Sequence, residues 1–308
     1  MTKNFNGYLY AISAIFFWSF NVIYSKYLAN TFTPFEISFV RWSIPALLFL
    51  PFTFKSIIIY RKTFLKHWFI ILILTLTGLG FQNTFVYYAG HTANAVDMAL
   101  INATSPIFLI IFSAIFLHNK IRFPQILGIL IAVFGVVIVI LDGNLKNIRN
   151  FTLSAGDWWM LFSAILFAGY GIAQKMLPPD VPAIPAFSLM ICISALMFLP
   201  LAAYDFTTHI PAKITKTDIL ILLILGVFNS GLAYIAWNKA LAAIGTVKTG
   251  ISYYLTPIFS TIEAYFLLNE HIYANQIYGI LLVLAGISFS NYKKKKLSQP
   301  QNYKQNRK

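Results

Sequence analysis

The sequence predicts an all-α membrane protein, with ten transmembrane helices arranged as two inverted five-helix repeats. Three observations lead there. The chain is 58% hydrophobic and only 10% charged over 308 residues, with a mean hydropathy of +0.72, far more apolar than an average soluble domain. Ten stretches are apolar for about the 20 residues that a helix needs to cross the hydrocarbon core. Finally, the segment from Pro106 to Gly135 recurs from Pro257 to Gly286 without a gap, at a constant offset of 257 − 106 = 151. If each repeat holds an odd number of spans, its two copies enter the bilayer from opposite sides.

The ten stretches lie at approximately 8–28, 35–53, 68–89, 93–117, 124–142, 157–177, 184–204, 218–241, 246–269 and 275–292. The first is longer than a signal core, has only Lys3 ahead of it and lacks a small-x-small cleavage site, so it is expected to be retained. The longest connection without a span, about Asp142 to Asp157, divides the chain into a first repeat at 1–142 and a second at 143–292, followed by a basic tail at 293–308. Further identities extend the repeat upstream: Gly80 with Gly231, Ala89 with Ala240 and Val96 with Val247 at the same offset. Around the first span the register slips, pairing Ser13-Ala14-Ile15 with Ser163-Ala164-Ile165 and Lys26 with Lys175.

The net charge of +14 is concentrated where a membrane protein needs it. Lys293 to Lys296 follow the last apolar stretch, and Lys304, Arg307 and Lys308 close the tail. Such juxtamembrane clusters meet anionic lipid head groups and mark a cytoplasmic end. Counting basic residues in loops puts both termini inside, in a cell (inner) membrane, with Lys55, Arg61, Lys62, Lys66, Lys120, Arg122, Lys175, Lys239 and Lys248 on inner connections. Lys146, Arg149, Lys213 and Lys216 go against that rule, but each pair shares its loop with acidic residues. No nucleic-acid motif or aromatic-interleaved basic face accompanies the charge, so nucleic acid is not an expected partner.

The composition also argues against catalysis. The single Cys192 cannot form a disulfide framework or a thiolate cluster, and His67, His91, His118, His209 and His271 lack ligand spacing, so neither metal nor cofactor is expected. No Gly-x-Ser-x-Gly elbow or paired intramembrane carboxylates are present. Gly245-Thr246-Val247-Lys248-Thr249 is only faintly similar to a phosphate loop, since it lacks the first Gly and follows an apolar span. A membrane-embedded lipid enzyme and a lipid-head-group flippase remain alternatives to a carrier, and saturation with counter-transport separates a carrier from a channel.

Polar groups within the spans supply the site candidates. Trp18, Asn21, Gln82, Asn83, Asn102, Asn229, Tyr234 and Tyr253 are contributed by both halves. Amides facing lipid would leave donors unsatisfied, so they are expected to point into the bundle, toward another helix or a small-molecule solute. Glu263 completes the set. An ionised carboxylate at its depth costs about 2.5–3.5 kcal/mol, so it must face water, find a partner or be protonated, either coupling proton movement to transport or simply bonding a neighbouring helix.

Asp97 and Lys248 occupy equivalent repeat positions (97 + 151 = 248), where a helix dipole and an inner boundary suit them respectively. Arg41 could pair with Glu36 about one turn away, or meet lipid heads. Pro106 and Pro257 each remove a backbone hydrogen bond within a span. Gly128 with Gly135, and Gly279 with Gly286, permit close helix packing as scaffold, compatible with a homodimer without requiring one.

Several patterns resemble the EamA family of the drug/metabolite transporter superfamily. Phe17-Trp18-Ser19-Phe20-Asn21 followed by Lys26 is similar to its Trp-x-x-Asn-x-x-x-x-Lys opening, and Arg41 follows Pro34-Phe35-Glu36 where the family usually has an Arg. Ser105-Pro106-Ile107-Phe108 and Thr256-Pro257-Ile258-Phe259 are similar to its Pro-containing helices, and Leu268-Asn269-Glu270 to its Leu-Gly-Glu. Asn119 stands where a symmetric counterpart of Glu270 would be, a departure from a paired helix-end acid. The resemblance spans residues from about 8 to 292 and implies a ten-span carrier of small polar or amphipathic metabolites, with amino-acid export its commonest expectation.

Overall fold

The computed structural model describes residues 2–118, 120–121, 123–140, 153–208 and 213–290. The expected boundary near 142, Asn119 and the basic tail lie outside these residues, as do the side chains of Pro106 and Lys248. Among the described residues every regular element is helical. Helices α1 (Thr2–Leu28), α2 (Pro34–Ile59), α3 (Arg61–Lys66) and α4 (Trp68–Leu74) lead into a π-helical segment, Thr75–Gly80, and then α5 (Phe81–Gly90). Next come α6 (Ala95–Asn102), α7 (Ser105–Phe116), α8 (Phe123–Ile140), α9 (Ala155–Met176) and α10 (Ala183–Thr208). Helix α11 (Lys216–Ile224) runs into a second π segment, Leu225–Leu232, followed by α12 (Ala233–Ser252), a 3-10 turn at Tyr253–Leu255, α13 (Thr256–Leu268) and α14 (Ala274–Ser290).

Among the described residues six stretches are long and apolar enough to cross a membrane: Phe5–Leu28, Pro34–Ile59, Trp68–Gly90, Ala95–Phe116, Ala183–Thr208 and Lys216–Ile244. Shorter apolar helices cover Ile126–Ile138 and Ala274–Gly286. Their outward faces carry large exposed apolar side chains such as Leu47, Phe52, Leu130, Leu196 and Leu281. A multi-pass membrane protein presents this kind of surface to lipid.

Acidic residues sit where helix starts need them. Thr33 with Glu36, Ser154 with Asp157, and Thr215 with Asp218 form reciprocal capping boxes, while the Asn94 side chain accepts from the Asp97 amide. Asp97 therefore faces the positive end of α6. The caps of α2, α6 and α9 gather at one end of the bundle: the Thr33 hydroxyl donates to Asp205 near the end of α10 (2.5 Å), and Gly156 lies against Thr92 and Ala93. Glu270 accepts there from the Ala95 amide (3.1 and 3.2 Å), and Lys26 donates to the Ala93 carbonyl (2.6 Å). At the opposite end Lys66 and His67 meet Asp180 at 3.6 and 3.2 Å in contacts open to solvent. The His67 hydrogen bond holds the Asp180 carboxyl below its ordinary range.

Helix α2 packs on α10, α8 on α14, α1 on α12 and α13, and α9 on α5 and α7. Two of these pairs are antiparallel. In α2 and α10, Thr33 meets Asp205 while Thr53 meets Ser188 (2.6 Å). In α8 and α14, a Cβ on Gly286 would strike the backbone of Gly128 and Ala132, and one on Gly135 would strike Gly279 and Leu282. The four glycines expected to permit close packing are thus used between two helices of the same chain.

The backbone irregularities obey the sequence offset. Adding 151 to Thr75–Gly80 gives 226–231, inside the second π segment, and adding it to Asn102, the last residue of α6, gives Tyr253. Pro106 and Pro257 were expected to weaken continuous helices. They stand instead in the first turn of α7 and α13, where a missing N–H leaves no bond unmade. The chain breaks just ahead of them, and matching hydroxyls cover the freed carbonyls: Ser105 Oγ donates to Asn102 O (2.6 Å) and Thr256 Oγ1 to Tyr253 O (2.7 Å). Gly245 to Thr249 lie within helical α12, so no phosphate loop forms there.

Candidate solute site

The interruptions converge on one cavity. It is lined by Trp18, Asn21 and Val22 of α1, Arg41 of α2, Gln82, Asn83 and Val86 of α5, Asn102 of α6, Phe167 of α9, Tyr234 of α12 and Tyr253 of the 3-10 turn. The structure thus brings together seven of the nine expected residues. Two pairs among them are repeat equivalents that touch. Asn102 Nδ2 donates to the Tyr253 hydroxyl at 3.2 Å, across 253 − 102 = 151 positions, and Asn83 interacts with the Tyr234 hydroxyl, across 234 − 83 = 151.

Asn229 and Glu263 lie apart from this lining. Asn229 ties helices together: its amide donates to Phe17 O (2.6 Å), and its own carbonyl accepts from Trp18 Nε1 (3.0 Å). That second bond fixes the indole against the cavity. Glu263 meets another part of α1, where its Oε1 lies 2.7 Å from Ser19 Oγ. A sequence reading cannot assign such faces, because a polar residue within a helix satisfies itself equally well toward a neighbour or toward a cavity.

Arg41 was expected near Glu36 or the lipid surface. It is 1% exposed and reaches inward instead. Its Nε donates to Ser230 Oγ (2.7 Å), and its Nη1 to Asn21 Oδ1 (2.6 Å) and the Tyr87 hydroxyl (2.5 Å). These partners are all neutral. Among the described residues no carboxylate forms an ion pair with it, and its Nη2 donors have no bonded partner. The guanidinium also lies over the Trp42 ring at 5.2 Å, a contact that favours a cation.

Aromatic rings form the other wall. Trp18 packs edge-on to Tyr234 (5.1 Å), Phe167 stacks on Tyr253 (5.2 Å), and Trp237 contacts both Trp18 (5.1 Å) and Tyr253 (6.3 Å). Phe167 and Trp237 carried no distinguishing signal in a chain that is 17% aromatic. Asn83 Nδ2 turns back to the Gly78 and Leu79 carbonyls (3.2 and 3.4 Å), as π-helical geometry requires when it frees backbone acceptors.

The cavity measures about 30 Å³, enough for one or two waters and too small for a metabolite. It admits nothing larger without separation of the surrounding helices. A larger open depression of about 370 Å³ lies at the capped end beside Lys26, His91 and Glu270. Lys26 and Glu270 are already bonded to backbone there, which suits closure of that end more than solute recognition.

The description of the EamA-like transporter family matches residues 5–141 and 154–292. The chain belongs to that family. It is accordingly a multi-pass membrane transporter and not an enzyme. Relatives of this EamA-like chain include the uncharacterized transporter YyaM of Bacillus subtilis, 23% identical over 92% of this chain and 93% of that one. The S-adenosylmethionine uptake transporter of Rickettsia bellii is 25% identical over 90% of each chain, and the aromatic amino acid exporter YddG of Escherichia coli 28% identical over 65% of this chain and 68% of its own. One solved crystal structure superposes with a TM-score of 0.62 at 17% identity, covering 92% of this chain and 96% of that one, a likeness of fold alone.

Proposed function

We propose that the chain is a ten-span carrier that exports or exchanges a small carboxylate metabolite, foremost an amino acid with an aromatic or apolar side chain. The observation that carries this reading is Arg41, a buried guanidinium with no acidic partner among the described residues and with free Nη2 donors at a cavity walled by aromatic rings. A buried cation is stabilised by an anion, and the Arg fork matches a carboxylate bidentately. Trp18, Tyr234, Tyr253 and Phe167 offer an apolar ring a stacking surface. Asn21, Gln82, Asn83 and Asn102 are placed to take up an ammonium or other polar part of the solute. The amino-acid assignment agrees with the function of YddG, an aromatic amino acid exporter, while the Rickettsia bellii relative takes up S-adenosylmethionine.

The reading takes the two halves as inverted five-helix repeats that rock about this cavity. In support, the equivalent helices α2 and α10, and α8 and α14, pack antiparallel, and the π segments and helix breaks recur at the 151-residue offset. Basic connections put both termini in the cytoplasm, so the capped end faces outward. The arrangement described is then one closed to the outside.

Counterflow of labelled L-phenylalanine in proteoliposomes tests the proposal. Saturable exchange is expected, with competition by 3-phenylpropionate, which keeps the carboxylate, and little by phenethylamine, which lacks it. Equal competition by phenethylamine would remove Arg41 from its role, and unsaturable flux would make the protein a channel.

A further inference from the structure

One acid in the membrane region is left unused by the solute cavity. Glu263 is 7% exposed, and its Oε2 has no hydrogen-bond partner among the described residues. Its Oε1 meets Ser19, whose hydroxyl lies 2.7 Å from two oxygens at once, the Phe16 carbonyl and Glu263 Oε1. A hydroxyl has a single proton and cannot donate fully to both. The conflict disappears if the carboxyl carries a proton: Glu263 Oε1–H donates to Ser19 Oγ, and Ser19 O–H donates to Phe16 O. Ser260 Oγ, one turn before Glu263, bonds the Ser19 carbonyl (3.2 Å) and keeps the helices in register.

The described groups packed around Glu263 are neutral or already engaged. On α1 the facing titratable group is Tyr24, close enough to feel the carboxylate, while Lys26 is engaged with Ala93 O at the capped end. On α6, Asp97 is engaged by Asn94 and Gln276, and in the 3-10 turn Tyr253 is held by Asn102. On α13's own end, Glu270 is bound to the Ala95 amide. Among the described residues no Lys, Arg or His forms an ion pair with Glu263. Two residues from Ser19, Asn21 holds Arg41 in the solute cavity, and adjacent Trp18 lines it.

We propose that Glu263 and Ser19 form a proton-binding site, distinct from the solute cavity, whose occupancy is coupled to solute binding through α1. The inference rests on the carrier reading. Parting of α1 from α13 lets water reach the carboxyl, which releases its proton to that water; the resulting carboxylate resists being buried again until it takes up a proton from solvent or α1 remains displaced. Because α1 also supplies Trp18 and Asn21, each ligand biases the helix position that the other meets, and the linkage is reciprocal.

Infrared spectra of the protein in bilayers test the proton site without any solute. Above the ordinary carboxylate range, wild type is expected to keep a protonated-carboxyl C=O band that Glu263→Gln lacks. Its absence from wild type, or persistence in the variant, overturns the proposal. Should Glu263→Gln fail to fold, Ser19→Ala keeps the carboxyl and removes its partner, and an unmoved band is equally fatal.

Coupling is read in proteoliposomes with L-phenylalanine. Glu263→Gln is expected to retain counterflow at equal pH but lose the accumulation that a pH gradient gives wild type. Gradient-driven accumulation by the variant, or a wild type driven by a sodium gradient instead, sinks the coupling. If wild type shows no counterflow, the carrier reading for this solute fails while the infrared band still decides the proton site.

Discussion

Helices α8 and α14 differ from the helices around the cavity in a way that separates scaffold from working parts. Neither α8 nor α14 is interrupted, and they meet through glycines so closely that a Cβ on Gly286 would lie within backbone. Around the cavity, continuous α1, α2 and α9 stand beside elements that are broken or widened: π segments precede α5 and α12, and turns precede α7 and α13. A regular helix satisfies its own backbone and can be locked by close contact, whereas an interruption frees carbonyls and concentrates bending. Freed acceptors are here taken up by side chains of or near the site, such as Asn83 and Tyr234 on Gly78 O. Substitutions at the cavity should therefore impair transport first, and substitutions in the α8–α14 seam should impair folding first.

Arg41→Ala should give the largest effect. It removes three buried hydrogen bonds together with the proposed carboxylate anchor, and truncating one partner of a buried charged pair costs about 2–5 kcal/mol. L-phenylalanine affinity should fall by about thirtyfold or more on that range. Arg41→Lys should recover only part, since an ammonium lacks the planar fork. Retention of affinity in both variants would break the comparison on its functional side.

Gly286→Val tests the scaffold side. Its side chain meets the Gly128 carbonyl and the Ala132 amide, backbone that cannot swing aside as a side chain can. Overpacking of this kind costs about 1–3 kcal/mol, seen as a lower thermal midpoint in detergent. The fraction that folds should exchange solute with nearly unchanged affinity. A variant with normal stability and poor affinity would mean that the seam moves during transport.

The contrast is only partly legible in the sequence. Amides and Tyr hydroxyls stood out because they interrupt apolar runs, and the ungapped 151-residue offset marked equivalent positions before any contact was known. That Asn102 and Tyr253 touch is not contained in that offset and depends on how the two helix breaks pack together. Arg41 was obscured by Glu36, five residues away, because helical spacing alone offers an intrahelical partner as readily as a distant one; Glu36 in fact closes the α2 cap. The π segments left no mark, since one widened turn hardly alters the periodicity of a uniformly apolar stretch. Depth along a helix is legible in the sequence and groups Asn229 and Glu263 with the cavity residues, whereas facing direction depends on which neighbour packs there.

Trp18→Phe should have a smaller effect than either. The phenyl ring keeps part of the contact with Tyr234 and Trp237 but loses the bond to Asn229 O. A neutral hydrogen bond and partial stacking together contribute about 1–2 kcal/mol, so affinity should drop by about tenfold with folding retained. No loss of affinity would separate the aromatic wall from solute recognition and leave Arg41 as the principal determinant.

The smallest effect belongs to a contact in neither region. Asp180 joins Lys66 and His67 at the end opposite the caps, where the His67 hydrogen bond depresses its carboxyl. A depressed carboxyl contributes stability above its unfolded value and loses that contribution as pH falls through the folded one. Any contribution from this pair should therefore be present at neutral pH and vanish in acid. Solvent screens it heavily, since half of the Asp180 side chain and more of Lys66 remain accessible. Asp180→Asn should accordingly leave the thermal midpoint at pH 7 within about 2 °C of wild type and exchange unchanged. A larger drop at pH 7 that disappears in acid would make this end a structural latch, and the division between a glycine-locked seam and an interrupted, moving centre would then need a third, electrostatic part.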